Sequence, residues 1–248
     1  MIQLEGKTRV AGLREGPPQT TGPHRVWALF GRANGAESIS LRTLEFGAGD
    51  HPWRTGDWDE TWFILKGHGR IELAGAGYSL QPEDGLRLAP GSRAVLAVAP
   101  NEVLTVAATR CPEPVAGAPD RPAAPPAASP LPPHARLADQ AVETTADRWY
   151  SVLIGKQQGS AQVTQFVGSI PPGRAPEHFH HYEEVLVILR GKGRMWAGTS
   201  HAPVGPGSCV FLPREQPHCL ENLGSAPLVL MGTFYPSGSP AVSYATDG

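Results

Sequence analysis

The chain carries an internal repeat over most of its 248 residues. A shift of 124 residues superimposes the two copies without a gap over these pairs: Gly31 with Gly155, Phe46 with Ile170, Gly49 with Gly173, Glu60 with Glu184, Gly67 with Gly191, Gly69 with Gly193, Arg70 with Arg194 and Pro82 with Pro206. Beyond Pro82 we align Pro90 with Pro213, which places one extra residue in the first copy. A repeat of this kind predicts two copies of one structural unit.

Each copy consists of short apolar runs separated by glycine and proline, and long amphipathic helical patterns are absent. The chain has 29 Gly and 26 Pro. The apolar runs are 26–30, 39–46, 62–65, 95–99, 103–108, 152–154, 163–170, 185–189, 210–212 and 228–234. Many short strands between turn signals predict an all-β sandwich or barrel.

A proline-rich segment separates the copies. Residues 112–133 contain nine prolines among twenty-two residues, mixed with alanine. Proline lacks the backbone donor that a helix interior or sheet ladder needs, so we expect an extended linker. The predicted division is 1–111 for the first barrel, 112–133 for the linker and 134–248 for the second barrel.

The second copy contains four residues with metal-ligand spacing. His178 and His180 stand at i and i+2, which in a strand point the same way, roughly 6–7 Å apart. Glu184 follows past a tight bend, and His218 arrives from a separate hairpin. Three imidazoles and a carboxylate suit Fe(II), Mn(II), Ni(II), Cu(II), Co(II) or Zn(II). We therefore predict one divalent transition metal per chain, in the second barrel, and no organic cofactor.

These residues resemble the two sequence motifs of the cupin superfamily. The first motif is matched by Gly173, His178, His180, Glu184 and Gly191, with four residues rather than five before His178. The second is matched by Gly207, Pro213, His218 and Asn222, with Glu215 in place of the middle glycine. The resemblance implies two tandem jelly-roll barrels, a bicupin, in which the metal has open coordination positions.

The first copy lacks this ligand set. In the alignment Arg54 stands opposite His178, Gly56 opposite His180 and Val95 opposite His218. Only Glu60 keeps its type, so we expect no metal there and a salt bridge between Arg54 and Glu60. No convincing spacing joins the nearby candidates His51, Asp57, Asp59 and His68.

Other residues near the motif have less specific predictions. Strand alternation turns His181 away from His180, and we expect His181 and Glu183 at the surface or behind the ligands. Asn222 is interpreted as a turn or hydrogen-bonding residue. Four residues are candidates for the cavity wall or the core: Phe166, Trp196, Phe211 and Met231.

Charge and cysteine usage narrow the function classes. The net charge is −2, and no basic cluster with interleaved aromatic residues suggests nucleic acid. Residues 1–10 carry charges without an apolar core, and no apolar run has transmembrane length, so we expect no membrane and a cytoplasmic location. Cys111, Cys209 and Cys219 lack paired-ligand spacing and are predicted to be reduced thiols.

The sequence therefore predicts a metal-dependent enzyme with a small-molecule substrate. We favour a dioxygenase on the resemblance. A non-redox isomerase, lyase or hydrolase is the first alternative, and a binding protein without catalysis is the second. The resemblance leaves a homodimer open. No catalytic residue beyond the metal ligands is identified.

Overall fold

The structure is a computed structural model that describes residues 1–113, 131–145, 147–160, 162–242 and 244–245. The first strands in chain order are β1 (Ile2–Gln3), β2 (Arg9–Gly12), β3 (Gln19–Thr21), β4 (His24–Phe30), β5 (Ser40–Phe46), β6 (Gly49–Arg54), β7 (Asp59–Lys66), β8 (Gly69–Leu73), β9 (Ala76–Leu80), β10 (Asp84–Leu88), β11 (Arg93–Val98) and β12 (Leu104–Cys111). They are followed by β13 (His134–Arg136), β14 (Glu143–Thr145), β15 (Arg148–Ile154), β16 (Thr164–Ile170), β17 (Gly173–Arg174), β18 (His178–Phe179), β19 (Glu183–Arg190), β20 (Gly193–Ala197), β21 (Ser200–Val204), β22 (Ser208–Leu212), β23 (His218–Asn222), β24 (Leu228–Tyr235) and β25 (Tyr244–Ala245). Short 3-10 helices lie at Glu5–Lys7, Arg32–Asn34, Leu137–Asp139 and Lys156–Gln158.

The predicted all-β fold of two tandem jelly-roll barrels is confirmed. Most of the predicted linker, residues 114–130, lies outside the described residues. Among the described residues, no helix is long and apolar enough to span a bilayer.

The first barrel has a filled interior. A sheet of order β13-β10-β7-β12-β5-β4-β3 faces a sheet of order β6-β11-β8-β9. Along β7 the alternate side chains of Glu60, Trp62 and Ile64 are fully buried. The apolar core between these sheets consists of Leu44, Phe46, Trp62, Ile64, Ile71, Leu73, Leu80, Leu86, Leu88, Ala94, Leu96, Val98, Leu104, Val106 and Ala108.

The second barrel repeats this arrangement. Its larger sheet has the order β1-β2-β22-β19-β24-β16-β15-β14, and its smaller sheet has the order β21-β20-β23-β18-β25, with β17 also paired to β23. The strands β18, β19 and β23 carry His178, Glu184 and His218, and His180 directly follows β18, so both sheets contribute to one site.

Strands from each copy join the sheet of the other barrel. Near the N-terminus β2 pairs with β22, so that Val10 lies beside Val210 in the second barrel. In return β13 pairs with β10, so that Ala135 lies beside Gly85 in the first barrel. The predicted boundaries at residues 111 and 134 stay a prediction, and these pairings cross them.

The two larger sheets pack back to back through an apolar interface. On β7 and β19 the residues that alternate with the barrel-facing ones, such as Phe63 and Val185, point into it. We call this the interbarrel core, and its main buried members are Trp27, Leu29, Phe30, Ile39, Leu41, Phe63, Ala107, Leu153, Ile154, Val167, Val185, Val187, Phe211 and Met231. The strand β19, which carries the predicted ligand Glu184, therefore has one face in its own barrel and the other against the first barrel.

Candidate metal centre

Three predicted ligands converge at one end of the second barrel. His178 and His218 are direct partners in the ladder between β18 and β23. His180 follows two residues after His178 and is buried, as is His218. One ring nitrogen from each of the three histidines can be chosen so that all lie within 4.8 Å of one another. Such a cluster fits a single transition metal ion.

Backbone carbonyls orient two of the rings. Nδ1 of His178 lies 3.0 Å from the carbonyl oxygen of Pro176, and Nδ1 of His218 lies 2.8 Å from that of Gln216. A carbonyl oxygen only accepts hydrogen bonds, so each Nδ1 donates a proton. This tautomer leaves the Nε2 lone pair of each ring free for a metal.

Burial keeps the imidazoles neutral. Desolvation, reinforced by His218 and His178, lowers the pKa of His180 to about 3. Desolvation and the neighbouring His178 lower the pKa of His218 to about 3. The pKa of His178 is also lowered, first by desolvation. Near pH 7 all three rings are thus in the form that a metal requires.

The fourth predicted ligand, Glu184, is a buried carboxyl in an apolar setting. Its Oε2 lies 3.7 Å from Nε2 of His180. Burial raises the pKa of Glu184 to about 8. Its partners across the ladder are Leu212 and Phe234. A carboxylate at this position needs a cation, and a metal on the adjacent imidazoles would provide one.

Gly232 on β24 makes room for this carboxyl. A Cβ at Gly232 would lie 2.4 Å from Cε1 of Phe166 and 3.1 Å from Oε1 of Glu184. A larger residue would displace both side chains. The glycine therefore sets the distance between Glu184 and the wall of the barrel.

The histidines line a cavity of about 380 Å³. Apolar side chains form most of its wall: Phe166, Ile170, Leu186, Met195, Leu212, Leu220 and Leu230. Of the four predicted wall residues, only Phe166 is among these, since Phe211 and Met231 lie in the interbarrel core. Trp196 packs elsewhere, with the guanidinium carbon of Arg174 4.1 Å from its ring centroid.

Arg148 and Tyr182 are among the polar cavity residues that were not predicted from the sequence. Arg148 opens β15, and its side chain is 25% exposed at the cavity. Its ion pair with Asp147, at 3.7 Å, is loose, and Asp147 is 70% exposed. Tyr182 stacks on His180 with ring centroids 4.5 Å apart and planes at 9°. Arg148 belongs to no motif, so only tertiary structure brings it to the site.

The residues around the motif take varied positions. His181 is exposed, as predicted, and its Nδ1 lies 3.3 Å from a carboxylate oxygen of Glu215. Glu183 is buried, and its carboxylate accepts hydrogen bonds from backbone N–H groups of the first barrel. The amide of Asn222 donates to the carbonyl oxygens of Ile170 and Ala226, which fits the predicted hydrogen-bonding role. All three cysteines are buried free thiols.

Strand register corrects the alignment of the first barrel. Leu88 lies beside Glu60 as Leu212 lies beside Glu184, so the shift of 124 residues continues without an insertion. The position opposite His218 is therefore Ala94, not Val95. In the ladder Ala94 is paired with Trp53 as His218 is paired with His178, so Trp53 and not Arg54 stands opposite His178, one residue away from the shift of 124. Trp53 packs at 5.3 Å from Trp62, so aromatic rings fill the space that the histidine cluster occupies in the second barrel.

The predicted salt bridge between Arg54 and Glu60 is wrong. Arg54 is exposed at the end of β6. Glu60 instead lies 3.0 Å from Arg42 and 3.2 Å from Arg110, and the indole of Trp62 donates to it at 2.8 Å. Burial acts to raise the pKa of Glu60, but the attraction of Arg42 and Arg110 outweighs it and the pKa is lowered.

The alternative first-barrel site is not formed either. Among the described residues, His51, Asp57, Asp59 and His68 do not gather into a metal-binding cluster. Asp59 is instead paired with Arg87 at 2.7 Å.

Comparison with known proteins identifies the fold and the family of the second barrel. Residues 166–234 match the model of the cupin domain family. An uncharacterised protein of Methanocaldococcus jannaschii is 33% identical over 69 residues, which is 27% of this chain and 55% of that protein. The chain thus spans about half the length of this curated relative.

Solved structures resemble the whole chain. A mutant oxalate decarboxylase of Bacillus subtilis has a TM-score of 0.74 at 13% identity, with 94% of this chain and 78% of that one covered. A Pseudomonas aeruginosa protein described as glyoxylate-induced has a TM-score of 0.75 at 16% identity, with coverage of 94% and 90%. The formate complex of Lactobacillus farciminis oxalate decarboxylase has a TM-score of 0.72 at 11% identity, with coverage of 95% and 87%. At these identities the likeness concerns the fold.

Proposed function

We propose that this chain, a bicupin of the cupin superfamily, is an enzyme that holds one divalent transition metal on His178, His180, Glu184 and His218. The observation that carries the proposal is the convergence of three neutral imidazoles beside a buried carboxyl at a cavity of about 380 Å³. The donor set fits a metal because the imidazoles have free lone pairs and Glu184 has an apolar setting that a cation would relieve.

The chemistry at this site is divided between the metal and the protein. A bound metal with open coordination positions supplies either activation of dioxygen or polarisation of a substrate oxygen. The carbonyl oxygens of Pro176 and Gln216 hold two imidazoles in the ligating tautomer. The ring of Tyr182 fixes His180 by stacking. The apolar wall limits water around the reacting molecule.

The substrate that best fits is a small organic anion. Arg148 brings a guanidinium to the cavity with only a loose, solvent-exposed partner in Asp147. A guanidinium can bind a carboxylate through two parallel hydrogen bonds. The acidic residues of the lining are Glu177 and Glu184, so Arg148 and a divalent metal together leave the lining with a net positive charge. The apolar wall would hold the rest of the molecule.

Dioxygenase chemistry is our first reaction class, because a site of three histidines and a carboxylate with open positions suits redox-active iron or manganese. The test is oxygen uptake by protein loaded with Fe(II), Mn(II), Ni(II) or Zn(II), against enols, catechols, flavonols and thiols. Each compound is offered as its carboxylate and as its methyl ester. We expect oxygen-dependent turnover with a preference for the carboxylate.

The same experiment separates the alternatives. Turnover without oxygen, or equal turnover with Zn(II), would assign a non-redox isomerase, lyase or hydrolase. Arg148 favours this alternative to the extent that a cation can stabilise a developing carbanion or enolate. Tight binding without turnover of any compound would indicate a binding protein. The cytoplasmic location and the homodimer stay predictions.

Metal uptake should release close to one proton per Mn(II) at pH 7. The carboxyl of Glu184, with a pKa of about 8, is mostly protonated before binding, whereas the imidazoles are already neutral. The apparent affinity should therefore rise with pH up to about 8 and then level off. Calorimetric titration in buffers of different ionisation enthalpy measures the proton count.

Glu184→Gln is the control for this prediction. It removes the titrating carboxyl and keeps all three imidazoles, so Mn(II) should bind more weakly but release far fewer protons. Equal proton release by the variant and the wild type would show that the proton comes from another group.

A further inference from the structure

Glu183 connects the metal-bearing strand to the first barrel. Its carboxylate accepts three backbone hydrogen bonds from one loop: from Glu37 at 2.8 Å, from Ser38 at 2.7 Å and from Ile39 at 3.1 Å. Glu183 is 3% exposed. Hydrogen bonds to a buried anionic acceptor are stronger than neutral ones, so this contact is a firm attachment. We call residues 37–39 the interbarrel loop.

The interbarrel loop also contacts the segment that precedes His218. The guanidinium of Arg214 donates to Oγ of Ser38 at 3.1 Å. The next residue, Glu215, donates its backbone N–H to the carbonyl oxygen of His180 at 2.7 Å. The segment from His180 to Glu183 and the segment from Arg214 to His218 are thus hydrogen-bonded to each other, and both contact the interbarrel loop.

The interbarrel loop is itself held in the first barrel. The carbonyl oxygen of Ser38 accepts from the backbone N–H of Glu113 at 2.8 Å. The side chain of Ile39 is fully buried in the interbarrel core. The loop therefore gives Glu183 a fixed point outside the second barrel.

Strand alternation relates this attachment to the metal centre. Glu183 and Glu184 are consecutive at the start of β19, so their side chains leave opposite faces of the sheet. The carboxylate of Glu183 is fastened outward to the first barrel, and that of Glu184 reaches inward beside His180. A shift at Glu183 would move the backbone from which Glu184 extends.

We propose that Glu183 is a positioning residue through which the first barrel sets the geometry of the metal centre. The inference rests on the proposed metal site. It gives the first barrel, whose own position for a metal is filled by Trp53, a role in the chemistry of the second. Partners behind a ligand typically change metal affinity by about 10–100-fold.

The repeat supplies a matched control in Asp59. Asp59 precedes Glu60 at the start of β7 as Glu183 precedes Glu184, and it is 2% exposed. It accepts from Arg87 at 2.7 Å, and Arg87 also donates to the carbonyl oxygen of Gln158, at 3.5 Å, in the second barrel. Loss of either carboxylate breaks a buried polar contact at the same interface, but only Glu183 adjoins a proposed metal ligand.

The experiment compares Glu183→Ala, the milder Glu183→Gln and Asp59→Asn in the full chain. We expect Glu183→Ala to raise the Kd for Mn(II) at least about tenfold and to change the electron paramagnetic resonance spectrum of bound Mn(II). Glu183→Gln, which keeps one acceptor oxygen, should fall between Glu183→Ala and the wild type. Asp59→Asn should lower the unfolding temperature, as Glu183→Ala does. It should leave the affinity for Mn(II) and the Mn(II) spectrum unchanged.

Spectra of the histidine rings in the metal-free protein distinguish a failure of the positioning role from a failure of the proposed metal site. Histidine-labelled nuclear magnetic resonance should show shifts of His178, His180 and His218 in Glu183→Ala and not in Asp59→Asn. Equal effects of the two substitutions, or no effect of either on rings and metal, would overturn the positioning role alone. Ring shifts confined to Glu183→Ala in a protein that binds no metal would overturn the proposed function and retain Glu183 as the residue that positions the cluster.

Discussion

Replacing His180 with alanine should lower the affinity for a divalent metal by more than about 100-fold. Removing a residue that only orients a ligand typically costs less than this. His180 is buried between the other two imidazoles and Glu184, with ring centroids 4.9 Å from His178 and 5.1 Å from His218. Its loss removes a neutral donor from the middle of the site and opens the coordination sphere. Elemental analysis and a competition titration with a chelator give the metal content and the Kd.

The fold should survive this substitution. The first barrel forms the same sheets with Trp53 and Ala94 in the place of a histidine pair, so the scaffold does not depend on imidazoles. His201→Ala is a matched control, because His201 is exposed on β21 and lies outside the cavity. Full metal retention by His178→Ala/His180→Ala, or two metal ions per wild-type chain, would refute a single site in the second barrel.

Much of the second-barrel site could be predicted because its geometry is local. Strand alternation predicted that His178 and His180 share a face, although β18 ends at Phe179, and the bend before Glu184 is short. His218 needed the second hairpin, whose motif is also local. The cavity wall was harder to predict, since alternation shows which residues share a face but not which face points inward. Phe211 and Met231 lie on the other face of their strands and pack in the interbarrel core.

The first-barrel prediction failed because it depended on tertiary contacts. Matching Pro90 to Pro213 by residue type introduced an insertion that the strand pairing excludes. Arg54 is near Glu60 in sequence, but the true partners come from β5 and β12. Nothing local marks these strands as neighbours of β7.

The repeat nevertheless shows which residues differ around the two buried glutamates. Under the shift of 124 residues Arg42 corresponds to Phe166, and Arg110 corresponds to Phe234. The first barrel surrounds its buried glutamate with two guanidinium groups, whereas the second surrounds Glu184 with aromatic rings. The first carboxylate is neutralised by protein cations, whereas the second is the one that we propose as a metal ligand. The two glutamates should therefore differ in how much the same substitution costs at pH 7.

Glu60→Gln should destabilise the protein by about 3–5 kcal/mol, the usual cost of removing one partner from a buried ion pair. The side chain of Arg42 is 10% exposed, and without Glu60 its charge would lack the nearest anion. The lowered pKa of Glu60 means that this stabilisation is present above about pH 4.5, the ordinary value, and is lost as the pH falls through the folded-state pKa. Chemical denaturation at pH 7 and pH 4 measures the difference, which should be smaller at pH 4.

Glu184→Gln, studied without metal, is the matched substitution in the second barrel and should cost little at pH 7. Burial raises the pKa of Glu184 to about 8, so the wild-type carboxyl is already mostly neutral and the amide replaces it at equal size. A raised pKa favours folding below the ordinary value and loses this advantage as the pH rises through about 8. At pH 9 the variant should therefore be more stable than the metal-free wild type, and saturating Mn(II) should reverse that order. Equal destabilisation by Glu60→Gln and Glu184→Gln at pH 7 would mean that the two carboxyls have the same structural role, and the contrast between a protein-neutralised and a metal-binding glutamate would be wrong.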